Sequence, residues 1–503
     1  MPTITPSSQG SAAHEHPHPH PHGHGHGDDH IHGDDDGHGP HRESRSRFLG
    51  PAAAVIGISV VLVALGYFVR SEGPESAPYA EFTLSDAADV TTPPLPATTG
   101  SGITLADNAT QQTIDRLQAS TAASATSGQL GLLARLLLQR AAVTGDATAY
   151  TRALATLDRA VALAPNNLDI RAQRASARIT THEFIAAGRD AERVLASNPD
   201  HPGGLAAGFD AALETGNISL AQRHLARLVR LAPESPQVLY RQSRWAELNG
   251  NTAQAAAFAS QARIAAEDAG LVGTSRASYE LLAGKLAIDE GNYPIAISAY
   301  EAALVAAPGW HAALAGLGRA QAAAGDLRSA EQSLSKSSDA LPLPDTLSSL
   351  GDVRTALGDI AGAKVAYGTV DVVAQLESVH QLFNRAIVVS QADRGINTAS
   401  AVRDARAELK TRKDVYGYDA LAWALLANGQ PKQAVQFADA SLALGTKDPR
   451  LLAHAGLVYA AAGEVTKAKA SLTRALELSP SFEPVLVERA KVALSQLNAG
   501  VAA

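Results

Sequence analysis

The sequence predicts an all-α protein: a solenoid of stacked helical hairpins, preceded by a disordered His-rich tail and one transmembrane helix. Three observations predict the solenoid. Alanine and leucine dominate from about residue 105 onward while aromatics make up only 5% of the chain, a composition of helices packed through small side chains. Pro165, Pro199 and Pro233 stand 34 residues apart, as do Pro308 and Pro342. At 503 residues the chain is also too long for one hydrophobic core, and a repeat array accounts for that length.

Composition removes several classes of chemistry. The absence of cysteine excludes disulfides, thiol nucleophiles, iron–sulfur clusters, thiolate zinc sites and a lipoprotein anchor. The net charge of -8 is spread along the chain, so neither a nucleic-acid groove nor a polyanion-binding face is expected. No GxGxxG after a strand, GxxxxGK[ST], HExxH or GxSxG occurs, and the expectation is a protein without catalytic activity.

Residues 1–47 hold eleven of the seventeen histidines. They are His14, His16, His18, His20, His22, His24, His26, His30, His32, His38 and His41. Alternation with proline and glycine denies this stretch a helix or a core, so a disordered tail is expected. Neutral imidazole is the commonest protein ligand for nickel, zinc, cobalt and copper, and Asp28, Asp29 and Asp34–Asp36 lie nearby. Divalent transition-metal binding follows from that ligand chemistry. The flexibility that permits it works against selectivity, and a tolerated low-complexity tail is the plainer reading.

Phe48 to Val69 is a run of 22 residues without a charge, long enough as a helix to cross a hydrocarbon core of about 30 Å. Pro51 falls in its first turn, and Tyr67 and Phe68 sit at the interfacial end. A cleaved signal peptide is the competing reading. The long preceding region, the length of the apolar run and the lack of an Ala-x-Ala site favour an uncleaved single-pass anchor. Arg42, Arg45 and Arg47 precede the run, whereas Arg70 alone follows it before Glu72 and Glu75. That bias keeps the N-terminus cytoplasmic and places the remainder outside the cell membrane. Residues 70–104, rich in Pro, Thr and Ser, read as an extended tether.

The array occupies 105–499, with about ten repeats over 134–482 and capping helices at either end. Each ruler proline ends a second helix, because it can neither donate a backbone hydrogen bond nor leave its predecessor helical. Twelve residues before these prolines stand Ala153, Ala187, Ala221, Ala296 and Ala330, with Ala468 likewise before Pro480. Twenty-four before them stand Ala141, Ala175, Gly284, Gly318 and, for Pro480, Gly456. Both sets are small residues where two helices cross closely. Gly145-Asp146, Gly216-Asn217, Gly291-Asn292, Gly325-Asp326, Gly358-Asp359 and Gly463-Glu464 mark the turns between them. An insertion of about seven residues near Glu267–Arg276 interrupts the ruler, the unit at 380–413 is degenerate, and Glu483–Leu497 reads as the polar cap.

These residues carry a resemblance. The segments NYPIAISAYEAAL, ending at Leu304, and Leu452–Leu478, with Gly456, Tyr459, Ala468, Leu472, Ala475 and Pro480 in register, resemble the tetratricopeptide repeat (TPR), whose period is 34 residues. The resemblance covers about residues 130–482. RITTHEF at 178–184 and YDALAWALLANGQPKQA at 418–434 look similar to bacterial membrane-anchored repeat proteins, which implies a prokaryotic membrane setting and no particular activity. The tail resembles His-rich segments of nickel and zinc transporters and metallochaperones, which implies metal buffering or sensing.

Such an array holds a peptide or a partner's helix in a concave groove lined by the first helix of each unit. The register puts Asp169, Arg171, Tyr240, Arg244, Glu247, Lys285, Arg319, Asp352, Tyr416, Asp419 and Trp423 on that face. Solvated helix faces are the plainer alternative for any one of them. Trp245 and Tyr300 read as hairpin core. The scattered His182, His201, His224, His311, His380 and His454 lack ligand spacing. The functional expectation is a membrane-anchored scaffold or adaptor for protein partners in an extracytoplasmic assembly. The alternative is an accessory protein in transition-metal homeostasis, with a metal transporter as partner.

Overall fold

The structure is a computed structural model that describes residues 102–379 and 384–500. The His-rich tail and the apolar run Phe48–Val69 lie outside the described residues, as does most of the tether. Among the described residues no helix is long and apolar enough to cross a membrane, and no strand occurs.

Helix α1 (Gly102–Ala123) leads into ten antiparallel hairpins. These are α2 (Ser127–Thr144) with α3 (Ala147–Leu163), α4 (Leu168–Thr180) with α5 (Phe184–Ser197), and α6 (Pro202–Glu214) with α7 (Ile218–Leu231). Next come α8 (Pro236–Leu248) with α9 (Thr252–Asp268), α10 (Gly273–Asp289) with α11 (Tyr293–Ala306), and α12 (His311–Ala323) with α13 (Leu327–Ala340). The last four are α14 (Pro344–Ala356) with α15 (Ile360–Val379), α16 (Arg385–Arg394) with α17 (Thr398–Glu408), α18 (Val415–Ala427) with α19 (Pro431–Ser441), and α20 (Pro449–Ala462) with α21 (Val465–Leu478). Helix α22 (Pro484–Asn498) ends the array.

Local chemistry explains the boundaries. Pro165, Pro199, Pro233, Pro308 and Pro342 each stand two residues past the end of a second helix, where the helix has already stopped. Side-chain oxygens of Asp146, Asn167, Asn217, Asp326, Asp414 and Asp448 accept from backbone N–H groups of the helices they open; each such cap is worth about 1 kcal/mol. The turn glycines at 145, 216, 291, 325, 358 and 463 all have positive φ. The extra residues near Glu267–Arg276 form no loop of their own: they lengthen α9 and α10 to 17 residues each, joined by Ala269–Val272.

Small residues set how closely the helices approach. Ala153, Ala187, Ala221, Ala296, Ala330 and Ala468 are fully buried. The Tyr300 ring occupies the space that a Cβ on Gly284 or on Gly316 would need, and Leu334 and Leu472 do the same over Gly318 and Gly456. Tyr300 thus fills the hairpin core, as its position in the motif predicts.

The array also coils back on itself, so that later hairpins seat against earlier ones. The Trp310 Nε1–H donates to the Ala142 carbonyl at 3.0 Å, and Leu341 fills the space above Gly145. The Lys413 N–H donates to the Glu214 carbonyl at 2.8 Å. Tyr293 Oη lies 3.0 Å from Ser479 Oγ and accepts from the Ser481 N–H at 3.0 Å. One apolar cluster spans the seam, joining Phe209, Leu213 and Leu248 to Val415, Tyr416 and Leu451. Burial of each large side chain there contributes about 1.5–3 kcal/mol.

Candidate functional site

The first helices line the inner face of the coil, and the closed seam decides what that face presents. At its centre α8, α10, α18 and α20 meet around Lys285. The Lys285 Nζ lies 2.6 Å from Glu247 Oε1, 2.6 Å from Asp289 Oδ2 and 3.6 Å from Asp448 Oδ2. Arg244 Nη1 donates to Glu247 Oε2 at 3.1 Å, and the Tyr416 hydroxyl donates to Glu247 Oε1 at 3.5 Å. The carboxylate oxygens of Glu247, Asp289 and Asp448 stand within 4.8 Å of one another. That is the geometry of a cation site, and the Lys285 ammonium supplies the cation.

Electrostatics follow from this crowding. Burial works against the Lys285 charge, but Asp289 and Glu247 outweigh it and hold the ammonium pKa well above the usual lysine value. Burial pushes the Asp289 carboxyl up to about 7; Lys285 opposes the shift, and Asp448 and Glu247 add to it. Three carboxylates facing one lysine cannot all ionise at low cost.

The structure brings Arg244, Glu247, Lys285 and Tyr416 into this one cluster, with Tyr240 buried edge-on against Tyr279 beside it. Asp419 and Trp423 form a second group on the same face. His454 Nδ1 lies 2.9 and 3.1 Å from the Asp419 carboxylate oxygens, and its ring stacks on Trp423 at 4.1 Å. The Trp423 Nε1–H donates to Asp393 Oδ1 at 2.8 Å, and the Arg489 guanidinium lies 4.8 Å above the same ring. Arg319 pairs with Asp345 at 2.6 Å, and Asp352 accepts from the Tyr367 hydroxyl at 2.6 Å.

Asp169 and Arg171 stand apart from both groups. Asp169 Oδ1 lies 3.1 Å from His201 Nε2. Arg171 joins Arg174 and Arg178 around the buried Asp190, with Arg174 Nη2 at 2.6 Å and Arg178 Nη1 at 2.6 Å. A buried aspartate held by several guanidiniums serves the fit between α4 and α5.

The inner face is therefore not an open groove along its length. Tyr240, Arg244, Glu247, Tyr416, Asp419 and Trp423 are buried by the chain's own later hairpins or their neighbours. The face stays accessible farther along, where the side chains of Arg450, Glu483 and Arg489 are 41%, 40% and 41% exposed and that of Asp393 is 35% exposed. Sequence reasoning missed these four together with Asp289, Asp448 and His454. Asp289 was visible as the i+4 partner of Lys285, whereas Asp448 reads as a helix cap and nothing more. A cleft of about 270 Å³ also remains in the seam, with Leu213, Ile218, Leu248 and Val415 along its walls and Arg244 and Lys413 beside them.

Comparison with known proteins gives three findings. A tetratricopeptide repeat profile matches residues 207–270 and 281–342, and a second matches residues 449–482. No curated protein sequence matches the chain. Among solved structures, PilW, a widely conserved type IV pilus biogenesis factor, is similar at 20% identity over 42% of this chain and 93% of its own, with a TM-score of 0.35. The human IFIT1 dimer with m7Gppp-AAAA is similar at 15% identity over 74% of this chain and 95% of its own, with a TM-score of 0.40.

Proposed function

We propose, from the premise that residues 207–270, 281–342 and 449–482 are tetratricopeptide repeats, that this protein is a membrane-held scaffold for protein partners. The observation that carries this reading is the accessible end of the inner face. Arg450 with Glu483 and Arg489 with Asp393 are half-buried there as two facing opposite-charge pairs beside buried Trp423, on elements that lock one another in place. Rigid, preordered polar groups on an aromatic base suit an extended peptide or one face of a helix. The closed part of the face holds this end in shape and is not itself the contact surface.

A photoreactive side chain at Arg450 or Arg489 tests the reading directly. Crosslinks to a defined partner should form there, fail from the outer-face Lys432, and be lost on reversing the charge of the remaining exposed groups. Equal yields from the two faces would sink it. The anchoring at Phe48–Val69 and the extracytoplasmic placement of the array belong to the same proposal. Because the chain has no cysteine, single cysteines at Ser8 and Ser495 report sidedness with an impermeant thiol reagent. Labelling of both from the same side contradicts the topology.

The alternative, a role in transition-metal handling, rests on the eleven histidines between His14 and His41. It needs the tail and not the inner face. Deleting residues 14–41 separates the two: unchanged cellular nickel, zinc, cobalt and copper content, with unchanged tolerance, removes the metal role and leaves the scaffold standing.

A further inference from the structure

The second helices of the first three hairpins carry a feature that total charge conceals. Helices α3, α5 and α7 hold seven arginines against three carboxylates, and one of those carboxylates, Asp190, is turned inward onto Arg174 and Arg178. Arg159, Arg193 and Arg227 are spaced by the 34-residue period, so they occupy one register position on three successive outer helices. Arg189 and Arg223 form a second row one turn earlier, four residues before Arg193 and Arg227. Leu163 and Leu231 lie one turn later in the same register and are 54% and 44% exposed.

The counter-charges do not neutralise this face. Arg227 pairs with Asp200 at 2.7 Å, Arg193 Nη1 stands 3.8 Å from Asp190, and Arg159 donates to the Thr121 carbonyl. Exposed Glu192 and Asp158 share the surface, and Asp158 is drawn toward Arg174 and Arg178. Arg189 and Arg223 are exposed and have no carboxylate partner among the described residues. The pKa of His224, between the two rows on α7, is lowered first by burial and then by the Arg223 and Arg227 charges.

We infer that this outer face is a docking surface for an anionic lipid bilayer, which it meets with two rows of guanidinium groups flanked by the exposed side chains of Leu163 and Leu231. An outer helix face offers no groove in which a peptide or a nucleic-acid strand is gripped. It offers a repeated lattice of cations with apolar side chains one turn away, the combination that binds phosphate headgroups and the acyl boundary together. The inference rests on the membrane-held reading and adds an orientation to it. The first hairpins after the tether lie against the lipid, and the accessible inner face near Arg450 and Arg489 is left to protein.

The test uses the full chain with one cysteine, Ala226→Cys, carrying a fluorescent donor, reconstituted into vesicles with a lipid-borne acceptor. Energy transfer should rise at least about threefold when neutral phosphatidylcholine is replaced by about 30% phosphatidylglycerol, and should fall back in about 0.5 M salt. The variant Arg189→Glu, Arg193→Glu, Arg223→Glu, Arg227→Glu should lose the rise. An equal reversal at Arg406, Lys432, Arg474 and Lys491 should keep it. Thermal melts by circular dichroism establish that both variants are folded. Transfer that ignores lipid charge, or ignores the four-arginine reversal, overturns the docking surface while vesicle flotation still reports the anchor. Failure to float on any vesicle overturns the anchor as well. Binding of soluble polyglutamate with no response to anionic vesicles would assign the face to an acidic protein and overturn the lipid inference.

Discussion

Arg412 places its Nε 2.6 Å from Glu214 Oε2 although 198 residues of chain separate the two. Both side chains are nearly excluded from solvent, and Arg412 also sits 3.1 Å from Asp414 and 5.1 Å from the Phe184 ring centroid. The pair is thus a clasp between early and late hairpins, desolvated on both sides. Truncating one partner leaves the other charged and buried, which costs about 3–5 kcal/mol. We expect Glu214→Ala to lower the unfolding free energy measured in urea titrations by that amount, and Arg412→Ala to cost at least as much because Asp414 and Glu408 lose a partner too. The double replacement Glu214→Leu, Arg412→Leu should cost less than the two truncations combined. Strict additivity in the denaturation midpoints would show that the two groups do not interact.

Gly250 and Gly325 form a controlled pair. Both have positive φ, 71° and 88°, and both close a hairpin turn. A Cβ on Gly250 would run into the Gly445 carbonyl oxygen across the seam, whereas one on Gly325 meets nothing. Gly325→Ala should therefore cost about 1 kcal/mol, the backbone penalty alone. Gly250→Ala should cost about 2–4 kcal/mol because the seam must also shift. Equal losses in thermal melts would mean that the seam is loose in solution.

The contrast between these two glycines also marks what the sequence makes legible. The hairpins are local objects: a proline two residues past a helix end, an alanine at the crossing and a glycine at the turn act within one 34-residue unit. The period alone places them. The seam depends on how small rotations accumulate over five or six units, and no local signal records that Gly250 will face Gly445 or that Glu214 will meet Arg412. The candidate site divides in the same way. The register places Arg244, Glu247, Lys285 and Asp419 on first helices, but the burial of the Lys285 cluster follows from the seam, and that of Asp419 from His454 of the next hairpin. Trp423 looks like a binding aromatic until the structure stacks His454 and Arg489 on it. The arginine rows were present at the repeat period all along, hidden by a net charge summed over the whole chain.

His454 gives a pH-dependent readout of the inner face. Burial opposes its charge, but the Asp419 carboxylate overcomes that, and the imidazole pKa is raised from its usual 6.5. A raised histidine contributes stability that is complete below about 6.5 and is lost as pH climbs through the folded-state value. We expect the stability gap between the wild type and His454→Gln to be larger at pH 6 than at pH 9 in urea titrations. Asp419→Asn should flatten that difference, since the carboxylate is what holds the proton. A gap that widens toward alkaline pH would reverse the assigned sign.

Asp352 titrates in the same direction for a different reason. Burial is the main cause that pushes its carboxyl up to about 7; the Tyr367 hydroxyl donating at 2.6 Å holds it down, and Asp393 and Glu483 add to the rise. The folded chain therefore keeps a proton that the unfolded chain releases near the ordinary 3.8. This side chain's contribution is complete below about 3.8 and fades as pH rises through about 7. Asp352→Asn keeps a neutral acceptor for Tyr367 at every pH and never takes on the buried charge. The variant should match the wild type near pH 4 and exceed it by about 1–2 kcal/mol at pH 8, a conservative share of what the shift allows. Tyr367→Phe should widen the alkaline loss by removing the donor that favours the ionised form. If Asp352→Asn instead destabilises most at pH 8, the carboxylate is ionised and satisfied in the folded chain, and the immediate surroundings of Asp352 are better hydrated than its burial implies.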